Sequence, residues 1–131
     1  MRLLLDTHVL IWLSHAPDEL SNAARGLLDR SSTRVFVSAA TLWELRIKWS
    51  RSGARVREEL LDPLIAISFA AQQGFELAAL GPEDCVTSLD QRLGHRDPFD
   101  EQLLIHAQRL GAKLLTRDRK LIGHPNALGL A

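Results

Sequence analysis

The chain has 131 residues, of which 46% are hydrophobic and 24% charged, with 16 basic against 16 acidic side chains and a formal net charge of zero. This length and apolar content suggest one soluble domain, 1–131, with enough material for a core. Zero net charge excludes global electrostatic steering toward nucleic acid or membrane, so contact with a polyanion must come from local patches or from bound metal.

The start, Met1-Arg2-Leu3-Leu4-Leu5-Asp6, turns polar too early for a signal peptide, and no apolar stretch reaches membrane-spanning length. A cytoplasmic protein is expected. Leu3 to Leu5 is too short for a helix core and reads as a strand that ends at the junction Asp6-Thr7. Val9, Trp12 and Leu13 then show helical spacing. Ser21 is placed to cap a helix carrying Ala23, Ala24, Leu27 and Leu28. Val35-Phe36-Val37 is a second strand, and Ser38 caps a helix over 39–51.

Gly53 breaks that helix amid the basic residues Arg46, Lys48, Arg51, Arg55 and Arg57. A helix over about 57–73 ends at Gly74, and Phe75 to Leu80 is predicted as a third strand. Pro82 suits the first turn of a helix running to about Leu93, with Gly94 as its stop. That stretch holds the one cysteine, Cys85, which excludes an internal disulfide and has no Cys or His at zinc spacing. Pro98 opens a helix to Leu110 that stops at Gly111. Lys113 to Thr116 is a strand, and the tail over 126–130 offers a short edge strand. Strands alternating with helices predict a parallel sheet covered on both faces.

Five carboxylates fall where such a fold gathers reactive groups, beyond strand ends and at helix starts: Asp6, Glu44, Asp97, Asp100 and Asp118. Each has a plain structural reading. Asp6 caps the helix beginning near Thr7, and Asp118 caps a turn through Leu121. Glu44 has Lys48 four residues on, the spacing of a helical ion pair, although Trp43 and Leu45 flank it and suggest burial. Asp97 and Asp100 suit the dipole at a helix N-terminus. Asp100 shares a face with Leu103 and Leu104 and so points better into a site than Asp97 does. Brought into one pocket these acids would repel each other, and a hard divalent ion such as magnesium or manganese relieves that repulsion. The pattern reads as a metal-dependent phosphodiester-cleaving enzyme.

The motifs carry a family resemblance. Leu4-Leu5-Asp6-Thr7-His8-Val9-Leu10-Ile11-Trp12, Val37-Ser38-Ala39-Ala40-Thr41-Leu42-Trp43-Glu44, His95-Arg96-Asp97-Pro98-Phe99-Asp100 with Leu103-Leu104-Ile105, and Leu114-Leu115-Thr116-Arg117-Asp118 resemble, in order, the four motifs of PIN-domain proteins. Their spacing is similar to that of bacterial VapC-type toxins of type II toxin–antitoxin systems. The resemblance implies an α/β/α sandwich with a central, mostly parallel sheet. It also implies a magnesium- or manganese-dependent endoribonuclease, acting as a homodimer and silenced by a small antitoxin. Asp6, Glu44, Asp100 and Asp118 match the family's acidic quartet; Asp97 is an extra acid of the subgroup with Asp-Pro-Phe-Asp. Thr7 and Thr116 match hydroxyls that support the metal site. The chain departs from the pattern at Glu101, where arginine is common, at His106, where a small residue is common, and in having no tyrosine.

On this reading Asp6, Asp100 and Asp118 are direct ligands, and Glu44 binds metal or positions the nucleophile. Arg46, Lys48, Arg117 and Arg119 are the candidate RNA contacts, each weighed against a solvated face. His8 and His15 read as surface or packing residues. Two other classes stay open. One is an inert interaction module whose carboxylates grip a partner's arginine; the other is a nuclease acting on structured DNA.

Overall fold

A computed structural model describes residues 1–94 and 97–129. His95 and Arg96 of the third motif, and Leu130 of the tail, lie outside the described residues. Among the described residues five strands form one sheet: β1 (Arg2–Leu5), β2 (Arg34–Ser38), β3 (Glu76–Ala78), β4 (Lys113–Leu115) and β5 (Ala127–Leu128). Their order is β3-β2-β1-β4-β5, and all four pairings are parallel, with Leu4 opposite both Phe36 and Leu114.

The helices are α1 (Thr7–His15), α2 (Asn22–Asp29), α3 (Ala39–Arg51), α4 (Ala54–Arg57), α5 (Pro63–Gln73), α6 (Pro82–Val86) and α7 (Pro98–Leu110). Side chains alternate across the strands and so feed two cores. Leu3, Leu5, Val35, Val37 and Leu115 pack with Val9 and Leu10 of α1, Leu27 of α2, and Ala66 and Ala70 of α5. Leu4, Phe36 and Leu114 pack on the opposite face with Leu103, Leu104 and Ala107 of α7. The α/β/α sandwich is therefore as expected. Strands buried on both faces need no polar alternation, which is why β1 reads Leu-Leu-Leu. Each of those leucines is fully buried, a contribution of roughly 1.5–3 kcal/mol apiece. Among the described residues no helix is long and apolar enough to cross a membrane.

Two helices differ from the sequence reading. The predicted helix over 57–73 is broken, with α4 ending at Arg57 and α5 starting at Pro63. Proline disfavours helical geometry in the residue before it, and Asp62 instead caps α5 by accepting from the Leu64 amide at 2.9 Å. The helix predicted from Pro82 to Leu93 stops at Val86. Beyond it Leu89 and Leu93 still pack on the α7 side of the sheet. They do so from non-helical chain that Gln108 ties to α7, its Oε1 accepting from the Asp90 amide and its Nε2 donating to the Ser88 carbonyl.

β1 sits where the strand order turns: the chain leaves it toward β2 on one side, and β4 returns on the other. The crevice beyond the carboxyl ends of such strands is where ligands bind in open parallel sheets. Leu5 of β1 and Leu115 of β4 are paired at that end.

Candidate active site

Asp6 follows Leu5 directly and caps α1. Its amide donates to the Leu115 carbonyl at 3.0 Å, which locks the turn to β4. Its carboxylate accepts from the Thr7 amide at 2.8 Å through Oδ1 and from the Thr116 hydroxyl at 2.7 Å through Oδ2. Asp6 is only 7% exposed. Burial is the largest influence on its carboxyl and pushes the pKa above the ordinary aspartate value. The hydrogen bonds from Thr116 and Thr7 pull the other way, nearby Asp100 adds to the rise, and His8 opposes it.

Thr116 is fully buried and bridges two acids. While it donates to Asp6, its oxygen accepts from the Asp118 amide at 3.0 Å. Asp118 is exposed; its Oδ1 caps the following turn through the Lys120 amide at 2.9 Å. The capping reading of Asp6 and of Asp118 is thus realised, and it engages Oδ1 in both.

Thr7, also buried, donates to Glu44 Oε1 at 2.7 Å. Its oxygen lies 3.3 Å from the Thr41 hydroxyl. A carboxylate only accepts, so Thr7's hydrogen goes to Glu44. The other oxygen of Glu44 meets Lys48 Nζ at 2.7 Å. The helical ion pair of the sequence reading is therefore present, and half-burial accompanies it.

Asp97 caps α7, its Oδ1 accepting from the amides of Phe99 and Asp100 at 2.9 and 3.1 Å. Asp100, in the first turn of α7, is half-buried and close enough to Asp6 to repel its charge. The structure thus brings Asp6, Asp100, Thr116 and Asp118 to the crevice between β1 and β4. Glu44 is joined to Asp6 through the adjacent residue Thr7.

Among the described residues no three Asp, Glu, His or Cys side chains approach closely enough to form a metal-binding group. The chemistry of the donors nevertheless fits a hard divalent cation. Asp6 is a buried carboxylate whose hydrogen bonds come from an amide and a hydroxyl, and a second acid faces it. All-oxygen sets of this kind suit magnesium or manganese.

Of the four basic residues singled out, Arg46 and Arg119 are exposed and Lys48 holds Glu44. Arg117 lies over the Trp12 ring at 3.9 Å and reaches the carbonyl and carboxylate of Glu19 at 2.8 and 3.5 Å. Sequence reasoning did not find Thr41, nor the bond between Ser38 and His106. Ser38 Oγ accepts from the Ala40 amide at 3.0 Å and lies 2.7 Å from His106 Nδ1. Burial pushes the imidazole below its ordinary pKa, against the pull of Asp84 and of a hydrogen bond to the Ala79 backbone. A histidine directly after the apolar run Leu103-Leu104-Ile105 was the available signal, since a buried ring needs a partner.

A family model described as PIN domain matches residues 3–125 of the chain. No curated protein matches it. Several solved structures share its fold, among them the following three. VapBC2 from Rickettsia felis, bound to a DNA fragment from their promoter, is 19% identical with a TM-score of 0.67, covering 98% of this chain and 96% of that one. VapBC-1 from nontypeable Haemophilus influenzae is 20% identical with a TM-score of 0.60, covering 92% and 89%. A domain of a functionally unknown protein from Methanocaldococcus jannaschii is 20% identical with a TM-score of 0.55, covering 90% and 79%.

Proposed function

The chain belongs to the PIN domain family, and from that premise we propose that it is a divalent-metal-dependent endoribonuclease of the VapC toxin type. It would work in the cytoplasm as a homodimer held silent by a small antitoxin. The observation that carries the reading is the buried Asp6 carboxylate, set at the turn of strand order, oriented by Thr116 and facing Asp100.

Asp6, Asp100 and Asp118 would hold the magnesium or manganese ion. A bound divalent ion supplies positive charge against the phosphate and lowers the pKa of water. Thr116 fixes the rotamer of Asp6 and the backbone of Asp118 together. Thr7 fixes Glu44, which stands ready to orient a water or a further ligand. Asp97 holds the first turn of α7, and with it Asp100, in place. Arg46 and Arg119 would take RNA phosphates at the surface, and Lys48 and Arg117 would add to them on release from their present partners. The VapBC complexes of similar fold support an antitoxin as the partner.

The direct test digests RNA with purified protein, with and without chelator, beside the Asp6→Asn variant. Cleavage that needs manganese or magnesium and disappears in Asp6→Asn is expected; full activity in the variant rejects the assignment. The Glu44–Lys48 pair favours the competing reading of an inert interaction module. Thermal melting separates the two: an ion at about a hundred-fold excess over its Kd stabilises by about 2.7 kcal/mol, several degrees in Tm. An enzyme shows that shift and its Asp6→Asn variant does not, whereas an inert pocket shows none in either.

A further inference from the structure

Between the N-terminal ends of α3 and α7 lies an open, mostly apolar groove of about 640 Å³, walled by Trp43, Phe99, Pro98, Ala40 and Leu80. Trp43 is 62% exposed, an unusual setting for so large an apolar ring. Phe99 belongs to two depressions at once. One of its sides faces the Trp43 groove, and it also borders the pocket that contains Glu44, Lys48 and Arg51. The two depressions therefore share an aromatic wall, and on its far side stand Arg51 and the Glu44–Lys48 pair, Glu44 being the acid that Thr7 joins to Asp6.

We infer that this groove is a nucleobase subsite, in which a base next to the scissile phosphate stacks on Trp43 against Phe99. The inference rests on the nuclease reading above and names where its substrate strand goes. A strand whose phosphate reaches the carboxylates carries a base within one nucleotide of them. Single-stranded nucleic acid is held by cations along its backbone and by aromatic faces under its bases. Lys48, Arg51, Phe99 and Trp43 form such a series across the two depressions that Phe99 joins. An apolar polypeptide would use Trp43 and Phe99 equally well, but it has no use for the cations beside them. Gln102 donates its amide nitrogen to the Asp84 carbonyl at 2.9 Å, which anchors one wall.

The test uses the full chain carrying Asp6→Asn to prevent turnover. Its probes are fluorescently labelled single-stranded oligoadenylate and, as a polyanion without bases, inorganic polyphosphate. Adding Trp43→Ala is expected to weaken oligoadenylate binding about 5- to 100-fold, the usual worth of one stacked base. Trp43→Phe keeps a ring and should stay within about threefold of the parent, and polyphosphate binding should be unaltered by either change. Oligoadenylate binding that is indifferent to Trp43→Ala overturns the subsite and leaves the groove to a polypeptide partner. An equal loss for polyphosphate overturns it too, because the missing contact is then not to a base. If the unsubstituted chain cleaves RNA while Trp43→Ala binds normally, only the subsite falls; if it neither cleaves nor binds RNA, the nuclease reading falls with it.

Discussion

The hydroxyl of Thr116 donates to Asp6 Oδ2 at 2.7 Å across 110 positions of sequence. The same oxygen receives the Asp118 amide at 3.0 Å, so one side chain sets the attitude of two candidate ligands. Thr116→Val keeps the shape and removes both bonds. The expected cost is about 1–3 kcal/mol in urea unfolding. Manganese affinity should fall roughly 10- to 100-fold, as it does when groups that orient ligands are lost. Unchanged affinity by calorimetry would show that Thr116 only stabilises the fold.

Asp6 gives the protein a pH signature. Its folded-state pKa is raised, chiefly by burial, above an unfolded value of about 3.9. The stabilising contribution is therefore complete below that value and is lost as pH rises through the folded pKa. At neutral pH without divalent ions the site carries an electrostatic cost. Asp6→Asn should melt higher than the parent there and should vary less with pH. Melting curves that run parallel at every pH would contradict the assigned burial cost.

Asp97 separates a cap from a ligand. Asp97→Ala removes the acceptor for two amides of α7 and should cost about 1 kcal/mol. Asp97→Ser restores the cap without the charge. Stability that returns in the serine variant together with full manganese affinity makes Asp97 a cap; stability that returns while affinity stays low makes it a ligand.

His106 supplies a second signature, of opposite sign. Burial lowers its folded-state pKa from the ordinary 6.5, so the neutral ring contributes stability above that value. The contribution is lost as pH falls through the depressed folded pKa. The parent should weaken in mildly acidic buffer, and His106→Gln, which does not titrate, should weaken less. Ser38→Ala should cost about 1–3 kcal/mol at neutral pH, because it removes the α3 cap and leaves Nδ1 without the Ser38 hydroxyl. Denaturant titrations across that range check both variants.

Much of the fold can be read directly from local pattern. Leu3 to Leu5, Val35 to Val37 and Lys113 to Leu115 are short apolar runs that end in polar junctions, and burial on both faces leaves no other place for them. Asp6 and Thr116 follow at the ends of two such runs, which is why their places beyond the strand ends were legible. The Asp62-Pro63 boundary was also legible in principle, since proline dictates its neighbour's geometry, but helical spacing on either side masked it. The stretch Thr87 to Leu93 was not legible. Leu89 and Leu93 have a helical spacing and do reach a core, yet contacts with Gln108 on a distant helix decide their conformation. Thr7 reaching Glu44, and Ser38 reaching His106, are likewise partnerships that only the folded chain creates.

The parallel pairing of β1 with β4, Leu3 beside Lys113 and Leu5 beside Leu115, has a consequence for biosynthesis. β1 emerges from the ribosome before β2, β3 and every helix that separates it in sequence from β4, its neighbour on the acidic side. Until that neighbour arrives, Asp6 lacks Thr116, and the crevice has only one wall. A growing chain therefore has an incomplete crevice until β4 is made, and a chain cut before residue 113 keeps it incomplete.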